Sequence, residues 1–292
     1  MAVTLRQMVD ADVAPATLAQ VAAFEALDLS SGVTPRTVTD DVLARMHGRY
    51  RHFLDHDPAG AWVAIEDDRV AGAALGLKRE QFWGLSLMFV DPSAQSSGVG
   101  RRLMDAALTY AEGCRQLFIL STHDPRAMRL YATSDFTVHP QIEGVGEPDR
   151  SALPAPHRTV RDGSLADVEF ADTVDRVVRG APHGPDQIRM ATDLQMFVVD
   201  DVDGRGYAYL REDGLLYNLA ATDDDTARAL LWRCLATVSD LGRCADVYHL
   251  NAEQQWAIEI CYRARLRVTP GGSAFWRGGS PPRAYLPSGA YL

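Results

Sequence analysis

Apolar positions recur along the chain in two periods, and the switches between them lay out the elements. Residues 4–8 alternate as a short strand. Asp10 and Asp12 then open a helical run in which Leu18, Val21 and Phe24 share a face. A second helical pattern covers 39–54, with Val42, Leu43 and Met46 on one side. His47, Tyr50, His52 and His56 lie on or after it and read as an ordinary polar face. Residues 61–66 and 70–77 are two alternating runs joined by the polar turn Asp67-Asp68-Arg69, the pattern of an antiparallel hairpin. The run 82–90 is a further strand. A small-residue turn and a helix at 101–111 follow, then a strand at 116–121, helical spacing at 125–131 and a strand at 136–138.

Past a Gly- and Pro-rich stretch at 144–156, the second half repeats this order. It reads as a strand at 157–163, a helix at 165–179, strands at 196–199, 207–210 and 215–220, a helix at 226–238, a strand at 247–250 and a helix at 254–262. A shift of about 130 residues superposes Leu120 on Leu250, Ala127 on Ala257, Phe136 on Leu266 and Pro140 on Pro270 without gaps. The pattern predicts a tandem duplication, with one α/β unit at 1–146, a linker at 147–156 and a second unit at 157–292. The aromatic tail at 275–286 reads as a final hairpin strand completing one of the two sheets.

The chemistry concentrates between the strand 82–90 and the helix after it. A strand that turns through glycine into a helix leaves backbone N–H groups unsatisfied at the positive end of the helix dipole, and anions settle there. The turn reads Gln95-Ser96-Ser97-Gly98-Val99-Gly100, Gln-x-x-Gly-x-Gly. No lysine follows, and the spacing is not G-x-G-x-x-G, so neither the P-loop nor the dinucleotide fingerprint fits.

Composition narrows the classes. The formal net charge of −10 argues against a general nucleic-acid binder, which needs a basic footprint. No apolar run is long enough for a membrane span, and the first residues lack a signal-peptide core, so a cytoplasmic protein is expected. Cys114, Cys234, Cys244 and Cys261 form no C-x-x-C pair or zinc spacing, so free thiols and no metal are expected.

The turn resembles the pyrophosphate loop of the GNAT acyltransferase superfamily, whose pattern is Arg/Gln-x-x-Gly-x-Gly/Ala. A second stretch strengthens the resemblance. Asp124-x-x-Ala127-x-x-x-Tyr131-x-x-x-Asp135-Phe136 is similar to the family's Asn-x-x-Ala-x-x-x-Tyr-x-x-x-Gly-Phe, and the element order over 4–138 matches as well. Asp124 replaces Asn and Asp135 replaces Gly. Aspartate tolerates a left-handed backbone better than most residues, so Asp135 can hold the turn. The implied fold is two tandem GNAT-like domains, each a mixed, mostly antiparallel sheet flanked by helices.

The resemblance also implies a site. Gln95, Ser96, Ser97, Gly98, Val99, Gly100 and Arg101 would wrap the pyrophosphate of acetyl-coenzyme A or another acyl-coenzyme A, with Arg101 or Arg102 adding charge. Backbone groups of Met88, Phe89 and Val90 would meet the pantetheine and the carbonyl. Tyr131 matches the tyrosine that protonates the leaving thiolate, and the helices after the first strand would flank the acceptor. No Asp or Glu lies between Glu80 and Asp91, where the family often carries its base. Glu80, Ser86, His123 or a water would substitute, and His123 has a suitable unperturbed pKa.

In the second copy the loop becomes Ala221-Thr222-Asp223-Asp224-Asp225-Thr226-Ala227. Three carboxylates stand where a pyrophosphate would lie, and like charges repel it. Asp225 or Thr226 reads there as a helix cap, and Cys261 replaces the tyrosine. The expectation is an N-acyltransferase active in its N-terminal half on a small-molecule amine, as a monomer or homodimer, with no nucleic-acid or membrane partner. A non-catalytic acyl-coenzyme A binder is the alternative, as is altered chemistry such as O-acyl transfer or malonyl-coenzyme A decarboxylation.

Overall fold

The computed structural model describes residues 3–35 and 37–292. The first half contributes β1 (Thr4–Gln7), α1 (Val13–Ser30), α2 (Asp40–His56), β2 (Ala61–Glu66), β3 (Arg69–Arg79), β4 (Phe82–Val90), α3 (Val99–Thr109), β5 (Gln116–Ser121), α4 (Pro125–Ala132) and β6 (Thr137–Gly146). Asp67 and Asp68 both take positive φ, 48° and 60°, in the two-residue turn whose twist matches that of the strands it joins. β3 is buried along nearly all its length because its alanines and glycines let helices approach from both sides. A Cβ on Gly72 would lie 2.7 Å from the Phe89 carbonyl and 3.0 Å from Leu103 of α3. Val13, Ala16, Tyr50 and Phe53 of α1 and α2 cover one face of the sheet with Ala73 and Leu75. Leu103, Met104 and Ala107 of α3 cover the other with Ala64 and Ala74.

The second half contributes β7 (Arg161–Asp162), α5 (Val168–Val178), α6 (Pro185–Asp193), β8 (Gln195–Asp201), β9 (Gly204–Leu210), β10 (Leu216–Ala221), α7 (Asp224–Asp240), β11 (Ala245–Leu250), α8 (Gln255–Arg263), β12 (Arg267–Arg277) and β13 (Tyr285–Leu286). The opening strand expected at 157–163 shrinks to two paired residues. Helix α6, unexpected from the sequence, opens with Pro185 in its first turn. The repeat shows in backbone detail as well. Asp135 holds φ at 64°, as the glycine it replaces would, and its counterpart Arg265 holds 58°.

The two halves exchange strands. One sheet runs β1-β2-β3-β4-β5-β12-β6-β11 and the other β13-β10-β9-β8-β7. Each half's long final strand, β6 or β12, pairs antiparallel with the fifth strand of the opposite half, and the two lie side by side. The tail is therefore not a hairpin. β12 completes the first half's sheet, with Phe275 between Ile119 and Val138, and β13 joins the second half's. Trp276 stacks on Phe118 at 4.2 Å across this exchange.

A buried ionic network crosses the same boundary. Arg79, at the end of β3, donates to both oxygens of Asp57 and both oxygens of Asp186, each at 2.9 Å. His52 lies 2.6 Å from Asp186, so it is a buried partner across the seam rather than part of a polar face. Burial alone would raise the Asp186 carboxyl. The His52 hydrogen bond and the Arg79 charge outweigh it and hold the group below its ordinary value. Removing one member of such a set strands the others without water, which is costlier than never having had the pair.

Candidate functional site

β4 and β5 pair in parallel from Phe82↔Gln116 to Leu85↔Ile119 and no farther. Ser86 sits at the register shift between β4 and β3, and beyond it β4 parts from β5. The resulting notch has Met88, Phe89 and Val90 along one side and opens toward the loop 91–98. All three expected residues therefore stand on the unpaired edge of β4.

The loop meets α3 at Gly98, the helix N-cap, with φ at 87° and no side-chain cap. Nothing lies within 4 Å of a Cβ built on Gly98, and Ser96, Ser97 and Gly98 are exposed. Ser96 takes φ of 64°, turning consecutive amides to one side. Val99 and Gly100 open α3, and Gly100 makes only ordinary contacts, with Val90 and Leu130. The amides of 96–101 thus form an uncapped, outward-facing helix start.

Gln95 anchors the loop, donating to the Val90 carbonyl at 3.1 Å and accepting from Arg126. Arg126 in turn grips both oxygens of Asp124, at 2.9 and 2.8 Å. Asp124 also caps α4, accepting from the Arg126 amide at 2.9 Å. Burial would raise its carboxyl, and these bonds hold it below its ordinary value instead. The anion beside the loop is thereby neutralised. The side chains of Arg101 and Arg102 turn elsewhere, to Ser134 and Thr133 and to the Val3 carbonyl, so Arg126 is the loop's arginine. The sequence signal for it was its position two residues after Asp124.

Tyr131 of α4 is buried and packs edge-on against Phe275 of β12, with ring centroids 5.3 Å apart. Burial, then the nearby Asp124 charge, pushes its hydroxyl well above the ordinary tyrosine value. It stays protonated, and it has no protein hydrogen-bond partner among the described residues. His123 is exposed on the loop after β5. Glu80 sits at the opposite end of β4 and pairs with Arg176 of α5 at 3.0 Å. Ser86 accepts from Arg49 of α2 and donates to the Ala290 carbonyl at 2.5 Å. Sequence reading missed Arg49.

The second half fills the equivalent space with its own chain. Eight residues, 91–98, separate β4 from α3, whereas only Thr222 and Asp223 separate β10 from α7. Asp223, two or three residues earlier than expected, is the cap and accepts from the Thr226 amide at 2.8 Å. Arg283 bonds Asp224, and Arg158 pairs with Asp225 at 2.9 Å. Counted back from the strand ends Val90 and Ala221, Leu219 and Ala220 stand where Met88 and Phe89 do. β13 pairs with just those two residues, Leu219↔Leu286 and Ala220↔Tyr285. Asn218 Nδ2 donates to the Leu286 carbonyl at 3.0 Å, and Tyr285 and Leu286 are buried. Cys261 is a buried core residue, and all four cysteines are free.

Among the described residues, no His/Cys/Asp/Glu cluster could hold a metal, and no helix is long and apolar enough to cross a membrane.

Residues 28–136 match the family described as acetyltransferase (GNAT). No curated protein matches the chain in sequence. Among solved structures, a candidate acetyltransferase from Pyrococcus horikoshii is similar with a TM-score of 0.75 at 14% identity, over 99% of this chain and 95% of that one. A GCN5-related N-acetyltransferase from Sphaerobacter thermophilus gives 0.61 at 16% identity, over 94% and 95%. A tandem GNAT protein from the clavulanic acid biosynthesis pathway gives 0.60 at 14% identity, over 96% and 99%. This is a fold that serves acyl-coenzyme A-dependent acyl transfer in general. Residues 28–136 are thus similar to a GNAT acetyltransferase domain, and the chain as a whole shares the fold of a tandem GNAT protein.

Proposed function

We propose that the first half transfers an acyl group from an acyl-coenzyme A, acetyl-coenzyme A being the simplest, to a small amine, and that the second half takes no coenzyme A. The contrast between the two copies carries this reading: one has an open notch and an uncapped helix start, while the other closes both with β13 and its own aspartates. The residues present fit the group. The amides of 96–101 suit a pyrophosphate, and Arg126 steadies their loop. The edge of β4 at 88–90 suits an extended amide-bearing arm.

The acyl-coenzyme A supplies an acyl group already activated as a thioester. Backbone N–H groups of β4 at the notch polarise its carbonyl oxygen. The amine nitrogen forms the new C–N bond as the C–S bond breaks. Tyr131 Oη gives a proton to the sulfur, and the proton shed by the amine returns through solvent or His123, so the charge balances. The expected result is release of free thiol from acetyl-coenzyme A when a suitable amine is added, reduced about 10²- to 10⁴-fold in Tyr131→Phe while coenzyme A affinity is retained. Coenzyme A binding without turnover across a broad amine panel would favour the non-catalytic binder. The absence of a carboxylate from the notch side of β4 favours one second reading, decarboxylation of malonyl-coenzyme A. Product masses from malonyl- and acetyl-coenzyme A decide between them.

A further inference from the structure

Arg49 of α2 reaches β4 at the residue where the notch begins. Its Nη2 donates to the Ser86 carbonyl, to Ser86 Oγ at 2.6 Å and to the Gly289 carbonyl at 3.5 Å. The guanidinium is thus fixed in place by neutral oxygens on two sides. Among the described residues its Nη1 makes no protein hydrogen bond, and its Nε is buried without a partner. No carboxylate among the described residues pairs with it, although the chain has an excess of ten negative charges. Arginines nearby do have such partners: Arg51 pairs with Asp10, and Arg189 with Asp193.

The second half deepens the positive field at this point. Arg189 of α6 donates to the Gly48 carbonyl at 3.3 Å, next to Arg49. Tyr217 and Tyr291, 6.4 Å apart, form an aromatic wall beside the pair. Burial raises their hydroxyls, and the charges of Arg49 and Arg189 offset only part of that rise. A half-buried, pre-positioned guanidinium with unused donors is a receptor for a carboxylate, the planar partner it matches best.

We propose that Arg49 binds a carboxylate on the acceptor, so that the substrate is an amine that also carries an acid group, as an amino acid does. This rests on the acyltransferase reading and adds the acceptor's class to it. The second half then has a part in the reaction: its tail and α6 build the wall that selects the acceptor.

The probes are simple amino acids and their amides as acceptors, with acetyl-coenzyme A and thiol release as the readout. N-acetyl amino acids and their amides serve as product mimics in thermal shift with coenzyme A present. Free acids are expected to outperform amides by about 10- to 100-fold in kcat/KM, the worth of a charge-assisted hydrogen bond pair. Arg49→Gln removes that preference, raising KM for the acids until they are used no better than the amides, while coenzyme A affinity is retained. Arg49→Lys restores part of it, which separates recognition from misfolding. Equal use of acids and amides overturns the proposal. So does a protein that binds coenzyme A but responds to no acidic probe. Failure to bind coenzyme A at all would instead sink the acyltransferase reading.

Discussion

Replacing Arg79 by methionine tests how the halves are locked together. Arg79 makes four hydrogen bonds of 2.9 Å to Asp57 and Asp186, whose side chains are fully buried. Methionine keeps the apolar stem and removes the charge. Asp186 retains His52, and Asp57 retains the Lys78 amide and the Tyr110 hydroxyl, at 2.9 and 3.1 Å. Two buried carboxylates then lose their shared cation, which costs about 3–5 kcal/mol. For a chain of this size that lowers Tm on the order of 10 °C. The sign with pH follows from Asp186, whose folded carboxyl lies below its ordinary value. Its contribution in the wild type is complete above the ordinary carboxylate range and is lost as pH falls through the lowered folded value. The variant lacks much of that contribution, so the gap between the two proteins narrows toward acid. Urea unfolding of both at about pH 6 and about pH 3 measures it. A loss below about 1 kcal/mol, or a gap that widens toward acid, would refute the reasoning.

Other outcomes follow from single features. Gly98→Ala meets no steric obstacle but must hold φ at 87°, so stability falls by about 1–2 kcal/mol, and acetyl-coenzyme A affinity falls with it. Unchanged affinity in calorimetry would remove the loop from the site. In thiol labelling of the native protein, the exposed Cys244 reacts first and the half-buried Cys114 follows slowly. Cys234 and Cys261 stay silent, because burial pushes both thiols up to about 12. Rapid modification of all four would contradict the packing of α7 and α8.

Local signals were legible in the sequence. The two-residue turn at Asp67-Asp68, the glycine at 98 and the left-handed Asp135 are conformational demands that the residue types themselves announce. The strand exchange was not legible, because an aromatic tail at 275–286 states that a strand exists, not which neighbour it hydrogen-bonds. The Arg79 network joins residues up to 134 positions apart, so no window of sequence contains it. Helix α6 hid behind Gly184-Pro185, a pair that reads as a loop although proline is welcome in a first helical turn. The cap of α7 was misplaced because three successive aspartates offer equivalent oxygens, and only the strand end at Ala221 selects Asp223. For the site, the motif located the loop, but Arg126 as its anchor, β13 as the second copy's plug and Arg49 at the notch all depend on folding.

The most direct test is the stoichiometry of acetyl-coenzyme A by titration calorimetry on the full chain. One equivalent per chain is expected, abolished or weakened by Gly98→Ala and untouched by Asp224→Ala. Two equivalents, or one that survives changes at Gly98 and responds to those at the Asp223–Asp225 turn, would contradict the assignment of the live site to the first half.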